Sequence, residues 1–382
     1  MEKLSEDELV ALIKSVFPRY PGDKKLGILV DVPRHQEEDQ PAWHQRRQIA
    51  TGWFHALKNR ATDMGLEAIE LLAYPDVGSN NADLPQTAFL VKDVLPDTAS
   101  GLAQAGEEIT FTQIYTEFQL FLAPTQYSTT APLKNAAKQH GFRAATMPGF
   151  SPEMLPALRI DYNEVFRRVN IIKEKLDPAL CAEVVFKVDH QKEYHMLFDL
   201  RYRTSHLSSG RFPDLGTAGN LPSGETYIVP YEGEKSEESN TEGILPVQLG
   251  KDVVLFTIQK NCALTVTGEG ESVTTEREHL QKEPAYGNMA ELGFGVLADF
   301  GLSPIDEILL DEKLGFHVAF GRSDHFGGAI GPKDFSSPQA VIHLDRIYIP
   351  ATQPRIEVVS IILVYENQKR EKIMANGSYL VF

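Results

Sequence analysis

Cysteine is scarce: Cys181 and Cys262 are the only two among 382 residues, and they lie 81 positions apart. No CxxC spacing exists, so thiolate zinc sites and a disulfide framework are excluded as organising features. Both cysteines have apolar neighbours and read as small buried hydrophobes. Long apolar runs are missing too, and a transmembrane helix needs about 18 such residues. The first residues, Met1-Glu-Lys-Leu-Ser-Glu-Asp-Glu-Leu9, lack the basic start and apolar middle of a signal peptide. The expectation is therefore a cytoplasmic protein. Positive charge is in deficit, with a formal net charge of −16. That argues against nucleic acid or an anionic membrane as partner, because both demand clustered Lys and Arg. The glycine-rich stretches contain neither a P-loop nor a strand-bound dinucleotide pattern, so nucleotide binding has no specific support.

What is present is the balance of a soluble globular chain, 42% hydrophobic and 24% charged. Its length suits two domains. Residues 1–190 alternate strand-like and helix-like segments. Leu26–Asp31, Ala68–Tyr74, Phe118–Ala123 and Phe142–Met147 read as strands. Helical periodicity covers 39–64, 131–139 and 160–177. This alternation predicts a parallel sheet covered by helices, an α/β domain. From 191 to 382 glycine and proline thicken and β-prone runs dominate: Val253–Ile258, Ala263–Thr267, Ala340–Asp345 and Arg355–Val364. Helices are expected only near 275–283 and 304–313. That half predicts an α+β domain on a mostly antiparallel sheet. Tyr127, Tyr162 and Tyr227 read as core aromatics, with a pocket lining as the alternative use.

The chemistry-bearing residues lie in this second half. His343-Leu-Asp345 sits in an apolar run, and positions i and i+2 of a strand share a face. An imidazole and a carboxylate side by side form half a metal shell, or else a buried hydrogen-bonded couple. His317 opens a second apolar run, Phe316–Gly321, followed by the polar loop Ser323-Asp-His-Phe-Gly-Gly328. That loop would bring Asp324 or His325 near the same point, or it is a plain turn. Glu291 is bracketed by Met, Ala, Leu and glycines, and a buried carboxylate demands a partner. Glu225 follows a Pro-Ser-Gly turn at the head of a short strand. Together these side chains match a two-cation site, in which carboxylates bridge, histidines bind terminally and a water is acidified.

In order, Asn220-Leu-Pro-Ser-Gly-Glu-Thr-Tyr-Ile-Val-Pro230, Asn288-Met-Ala-Glu-Leu-Gly-Phe-Gly295, Asp311-Glu-Lys-Leu-Gly-Phe-His-Val-Ala-Phe-Gly321 and Ile342-His-Leu-Asp345 resemble the thermophilic leucyl aminopeptidases of the T and S types. Ala123–Lys134 and Ala145–Gly149 add to the likeness, which runs from about residue 118 to 350. The resemblance implies an N-terminal α/β domain, a C-terminal metal-binding domain and a homodimer. It also implies two divalent ions (zinc, cobalt or magnesium) held by Glu225, Glu291, His317, His343 and Asp345. The implied activity is removal of N-terminal residues from a peptide or small-molecule substrate, with Glu225 or Asp324 shuttling the proton. Where the family carries a tyrosine seven positions after its first histidine, this chain has Asp324, which would serve as a harder ligand. No Gly-Thr precedes His317, and His195–Leu200 replaces a further family segment. Two other functions compete. Ring-cleaving dihydroxypyridine dioxygenases share the fold and would use one iron(II) on His317, His343 and Asp345. A non-catalytic relative would keep the fold, with or without one metal.

Overall fold

The protein, seen here as a computed structural model, is described from residue 3 to 382. It divides into two compact units. The first runs to Phe166 and includes Ser208–Ser223; the second comprises Arg167–Leu207 and Gly224–Phe382.

The first unit is built on a seven-stranded sheet. Its strand order is Ala218–Asn220, Arg143–Thr146, Leu120–Ala123, Lys25–Val32, Ala68–Pro75, Thr87–Val91 and Gly106–Thr110. The first five pair in parallel. The last two add antiparallel, an edge the expectation of a parallel sheet did not contain. Lys25–Val32 is central and almost continuously apolar, as a strand covered on both faces must be. The helices fall where periodicity placed them, at Pro41–Leu57, Thr130–His140 and Tyr162–Leu176. Pro41 suits the first turn of its helix, where a missing N–H costs nothing. Gly141 closes the second helix in the left-handed conformation.

The second unit holds two sheets, one of five strands and one of eight. The eight-stranded sheet runs in the order Cys262–Gly268, Asp252–Gln259, Glu242–Leu249, Lys192–Asp199, Cys181–Val188, Ile356–Val364, Arg370–Ala375 and Ser378–Tyr379. Every resolved pairing within it is antiparallel. Burial alternates along Cys181–Val188, so Ala182, Val184, Phe186 and Val188 face the core. The five-stranded sheet, ordered His343–Ile347, Phe316–Gly321, Met289–Gly295, Glu225–Ile228 and His206–Ser208, carries the candidate site. An α/β unit and an antiparallel α+β unit agree with the expected fold class.

The single boundary expected after residue 190 differs from this division. Cys181–Val188 pairs with Lys192–Asp199 on one side and Ile356–Val364 on the other, so it belongs to the second unit. The change of texture near residue 190 marks a hairpin turn inside that sheet.

Candidate metal centre

Strand register gathers the chemistry onto one face. Directly opposed residues in an antiparallel pair project to the same side. Gly293 faces His317, Glu291 faces Ala319, and Ala319 in turn faces Asp345. Gly321 faces His343, and Glu225 faces Gly295. Two-residue alternation within each strand then places Glu225, Glu291, His317, His343 and Asp345 on a common side. The floor between them is glycine and alanine, which leaves room for the acidic and imidazole groups. A side chain at Gly293 would collide with the His317 ring, and one at Gly295 with the Lys313 backbone. The reverse side of the sheet shows why the strands hold. Leu292, Phe294, Val318 and Phe320 are fully buried there, each contributing roughly 1.5–3 kcal/mol. That apolar face offsets the burial of charge on the other.

Two overlapping sets of ligand-type side chains result. Glu225, Glu291 and His317 form one, and Glu291, His343 and Asp345 the other; within each, the candidate atoms all lie within 4.8 Å of one another. Glu291 is common to both. Its Oε1 is 3.2 Å from His317 Nε2 and its Oε2 is 3.3 Å from His343 Nε2. Glu225 Oε2 lies 3.5 Å from His317 Nε2, and Asp345 Oδ1 lies 3.6 Å from His343 Nε2. Both histidines are oriented from behind. His317 Nδ1–H donates to the Gly315 carbonyl at 3.1 Å, and His343 Nδ1–H to the Arg322 carbonyl at 2.8 Å. That leaves each Nε2 aimed into the cage, the arrangement by which outer partners fix a metal-binding imidazole.

Protonation follows from this crowding. Burial pulls His317 down, but Glu291, Glu225 and Asp345 overcome it and raise the ring to about 9. Burial likewise opposes protonation of His343, while Asp345 and Glu291 lift it well above its ordinary value. Burial pushes Glu291 up, yet the two imidazoles hold it well below the usual carboxylate range. Glu225 ends raised, because burial outweighs the Lys313 ammonium and His317. Its Oε2 is buried and has no hydrogen-bond partner. A buried acceptor without a donor is costly, and a cation beside His317 Nε2 would satisfy it. The residues therefore fit a divalent ion on both donor chemistry and geometry.

Lys313 is the participant that sequence reasoning missed. Its Nζ lies 2.8 Å from Glu225 Oε1 and it also pairs with Glu312. The side chain is only 2% exposed. In an Asp-Glu-Lys sequence it reads as solvated charge, and only the apolar run on either side hints otherwise. Four carboxylates (Glu225, Glu291, Asp345 and Glu312) against this one ammonium leave three negative charges when both imidazoles are neutral.

Asp324 stands apart from the two sets. It lies in the turn Asp324–Phe326, and its Oδ1 accepts from Arg322 Nε at 2.5 Å. Burial pushes its carboxyl up, but Arg322 wins and holds it low. His325 places its ring centroid 5.3 Å from that of His343. Tyr162 is fully buried, its hydroxyl donating to the Ala157 carbonyl at 2.9 Å. Tyr227, two residues beyond Glu225, is half-buried on the ligand side.

No protein-family model matches the chain, and no curated protein sequence matches it. Solved structures do. The 2,5-dihydroxypyridine dioxygenase of Pseudomonas putida KT2440 superposes with a TM-score of 0.60 at 14% identity, covering 99% of each chain. Wild-type AmpT of Thermus thermophilus superposes with a TM-score of 0.55 at 13% identity, covering 98% of each chain. At such identities the likeness establishes the shared fold alone. Both neighbours are enzymes, one a dioxygenase and the other an aminopeptidase.

Proposed function

We propose that this protein is a metal-dependent aminopeptidase that uses a pair of divalent cations. One observation carries the reading: the Glu291 carboxylate presents one oxygen to His317 and the other to His343. Each histidine has a further carboxylate beside it, Glu225 or Asp345. A shared carboxylate between two terminal sets is what a cation pair requires and what a single ion does not. Divalent ions held there would acidify a water and polarise a substrate carbonyl. Glu225 is the better supported of the two proposed proton carriers. Its carboxyl is raised by burial, and Oε2, which has no donor of its own, would exchange between the cation and the transferred proton. Asp324 is committed to Arg322 and held low. His317, His343 and Asp345 act as ligands, and Lys313 keeps the Glu225 carboxylate oriented. AmpT and the dioxygenase share the fold alike, so the choice of a peptide substrate rests on the shared Glu291 carboxylate.

Metal analysis on protein purified without added metal, followed by peptide assays, tests this. The expected result is two cations per chain and hydrolysis of peptides with free N-termini. N-acetylated peptides resist, and a chelator abolishes the activity. Glu225→Gln is expected to lose about 100- to 10,000-fold in rate while the Glu291–His343–Asp345 set keeps its ion. Undiminished turnover in that variant removes Glu225 from the mechanism.

A second reading has a specific observation behind it. Lys313 already occupies Glu225 Oε1, so Glu291, His343 and Asp345 form the set without a protein cation on any of its carboxylates. His317, His343 and Asp345 would then hold one iron(II) for ring cleavage, as the dioxygenase neighbour's fold allows. One iron per chain together with oxygen-dependent loss of a dihydroxypyridine selects this reading over the peptidase.

A further inference from the structure

A cavity of about 470 Å³ opens in the first unit, where the helix Glu6–Val16, the 3-10 turn Ala61–Met64 and the start of the strand Leu120–Ala123 come together. Every residue that lines it belongs to that unit, whereas all five candidate metal ligands belong to the second. Its floor is apolar, with Ile13, Phe17, Leu66 and Leu120 all buried. Two cations stand at its rim. Lys14 and Arg19 are exposed, and neither makes an ion pair or a side-chain hydrogen bond with any described residue. Asp63, also at the rim, is neutralised by Arg60, so the two cations give the mouth its charge.

One anion lies inside. Asp23 is fixed through its Oδ2, which accepts from Arg143 Nη2 at 2.6 Å and from the Tyr20 N–H at 2.9 Å. Both terminal nitrogens of Arg143 are taken, by that carboxylate and by the Pro18 and Phe212 carbonyls. Asp23 Oδ1 is left over. The side chain is 6% exposed, and no donor among the described residues meets this oxygen. A buried acceptor without a donor is costly, and a ligand that brings a donor removes that cost. An apolar floor with a few convergent polar groups is the make-up of a small-molecule site, and the volume lies in the range of such sites.

We propose that this cavity binds a small zwitterion with an apolar body, an α-amino acid of the leucine kind. Its carboxylate meets Lys14 and Arg19, its ammonium donates to Asp23 Oδ1, and its side chain lies against Ile13, Phe17 and Leu66. A simple carboxylate would leave Asp23 Oδ1 without a donor, and a simple amine would leave the two cations without a partner. The cavity and the metal centre share no residue, so the site stands whichever reading of that centre holds.

Calorimetric titration of the full chain tests this with three compounds. They are L-leucine, 4-methylpentanoate, which lacks the ammonium, and 3-methylbutylamine, which lacks the carboxylate. Each titration is run with and without a chelator. One leucine per chain is expected, at the same affinity in both conditions. The two half-molecules should bind at least about 10-fold more weakly, since each forfeits a charge-assisted contact. Lys14→Gln combined with Arg19→Gln should weaken leucine by a similar factor and leave 3-methylbutylamine unchanged. Those side chains are exposed and unpaired, so the fold is not at stake. Asp23→Asn should weaken leucine and leave 4-methylpentanoate unchanged. If loss of the Arg143 pair unfolds that variant, the rim double variant decides alone. Absence of leucine binding overturns the site. So does leucine binding that the chelator abolishes, which belongs to the metal centre, or that the double variant leaves intact, which lies elsewhere. Equal affinity for leucine and either half-molecule overturns the zwitterion.

Discussion

Lys313 shows how a single buried cation sets the electrostatics of the cage. Replacing it with methionine leaves Glu225 buried without its ammonium. Breaking a buried pair in this way costs about 3 kcal/mol or more. For a chain of 382 residues that corresponds to a fall in melting temperature of about 4 °C. The expected outcome is that drop in chelator-treated Lys313→Met, with a larger gain on adding a divalent ion than the wild type shows. An unchanged melting temperature would mean that Glu225 is satisfied by other means. The histidines make a second prediction at this scale. Without a cation, His317 titrates at about 9 in the folded protein, against an ordinary value of 6.5. A raised folded value means its contribution is fully present below about 6.5 and is lost as pH rises through about 9. Chelator-treated protein should thus lose stability between about pH 6.5 and 9, by up to about 3 kcal/mol at 1.36 kcal/mol per unit. Metal affinity should rise across the same window, because the ions compete with those protons. Denaturant titrations and metal-binding isotherms at several pH values check both. A stability profile flat across that window contradicts the assigned environment of His317.

At the scale of elements, alternation was the legible part. The i, i+2 spacing of His343 and Asp345 predicts neighbours on one strand face, and the strand His343–Ile347 places them so. The apolar and glycine surroundings of Glu291 predict a buried carboxylate, and Glu291 is buried. Register was not legible. Nothing in the separate runs says that Gly293 lies opposite His317, or that Ala319 lies between Glu291 and Asp345, because pairing across strands is set by the sheet as a whole. The helical run expected over 304–313 also shrank. Only Ile308–Asp311 is α-helical and Glu312–Leu314 tightens to a 3-10 turn, the geometry that turns Lys313 inward onto Glu225. The glycine floor gives this scale its prediction. In Gly293→Ala the new methyl would displace the His317 ring, at a strain of about 1–3 kcal/mol. The Leu292 and Phe294 side of the strand is unaffected, so the fold should survive. The set built on His317 should fail while the set built on His343 remains, and metal analysis should find one ion per chain in place of two. Two ions in Gly293→Ala would separate His317 from metal binding.

At the scale of the whole molecule, composition excluded several classes but did not locate the joint between units. Among the described residues no helix is long and apolar enough to cross a membrane. The chain passes between units at Phe166, Leu207 and Ser223; the first crossing falls inside the helix Tyr162–Leu176, and the other two in short Ser/Gly turns too brief to read as linkers. A cut after residue 190, where the texture changes, would remove Cys181–Val188 from the middle of the eight-stranded sheet. A fragment of residues 191–382 would then expose the edges of Lys192–Asp199 and Ile356–Val364, and should aggregate as open edges do. A fragment that respects the observed units behaves differently. It would run from Arg167 to Phe382 with Ser208–Ser223 replaced by a short glycine-serine link. The link need not be long, because Ser208 Oγ and Ser223 Oγ are only 2.6 Å apart. This fragment retains both sheets of the second unit and all five candidate ligands. It should be monodisperse, unfold cooperatively and bind divalent ions, whereas the 191–382 fragment should not. Gel filtration and metal-dependent melting compare the two directly. If the shorter fragment proves equally folded and metal-binding, the central strand is dispensable and the metal cage does not depend on the integrity of the sheet.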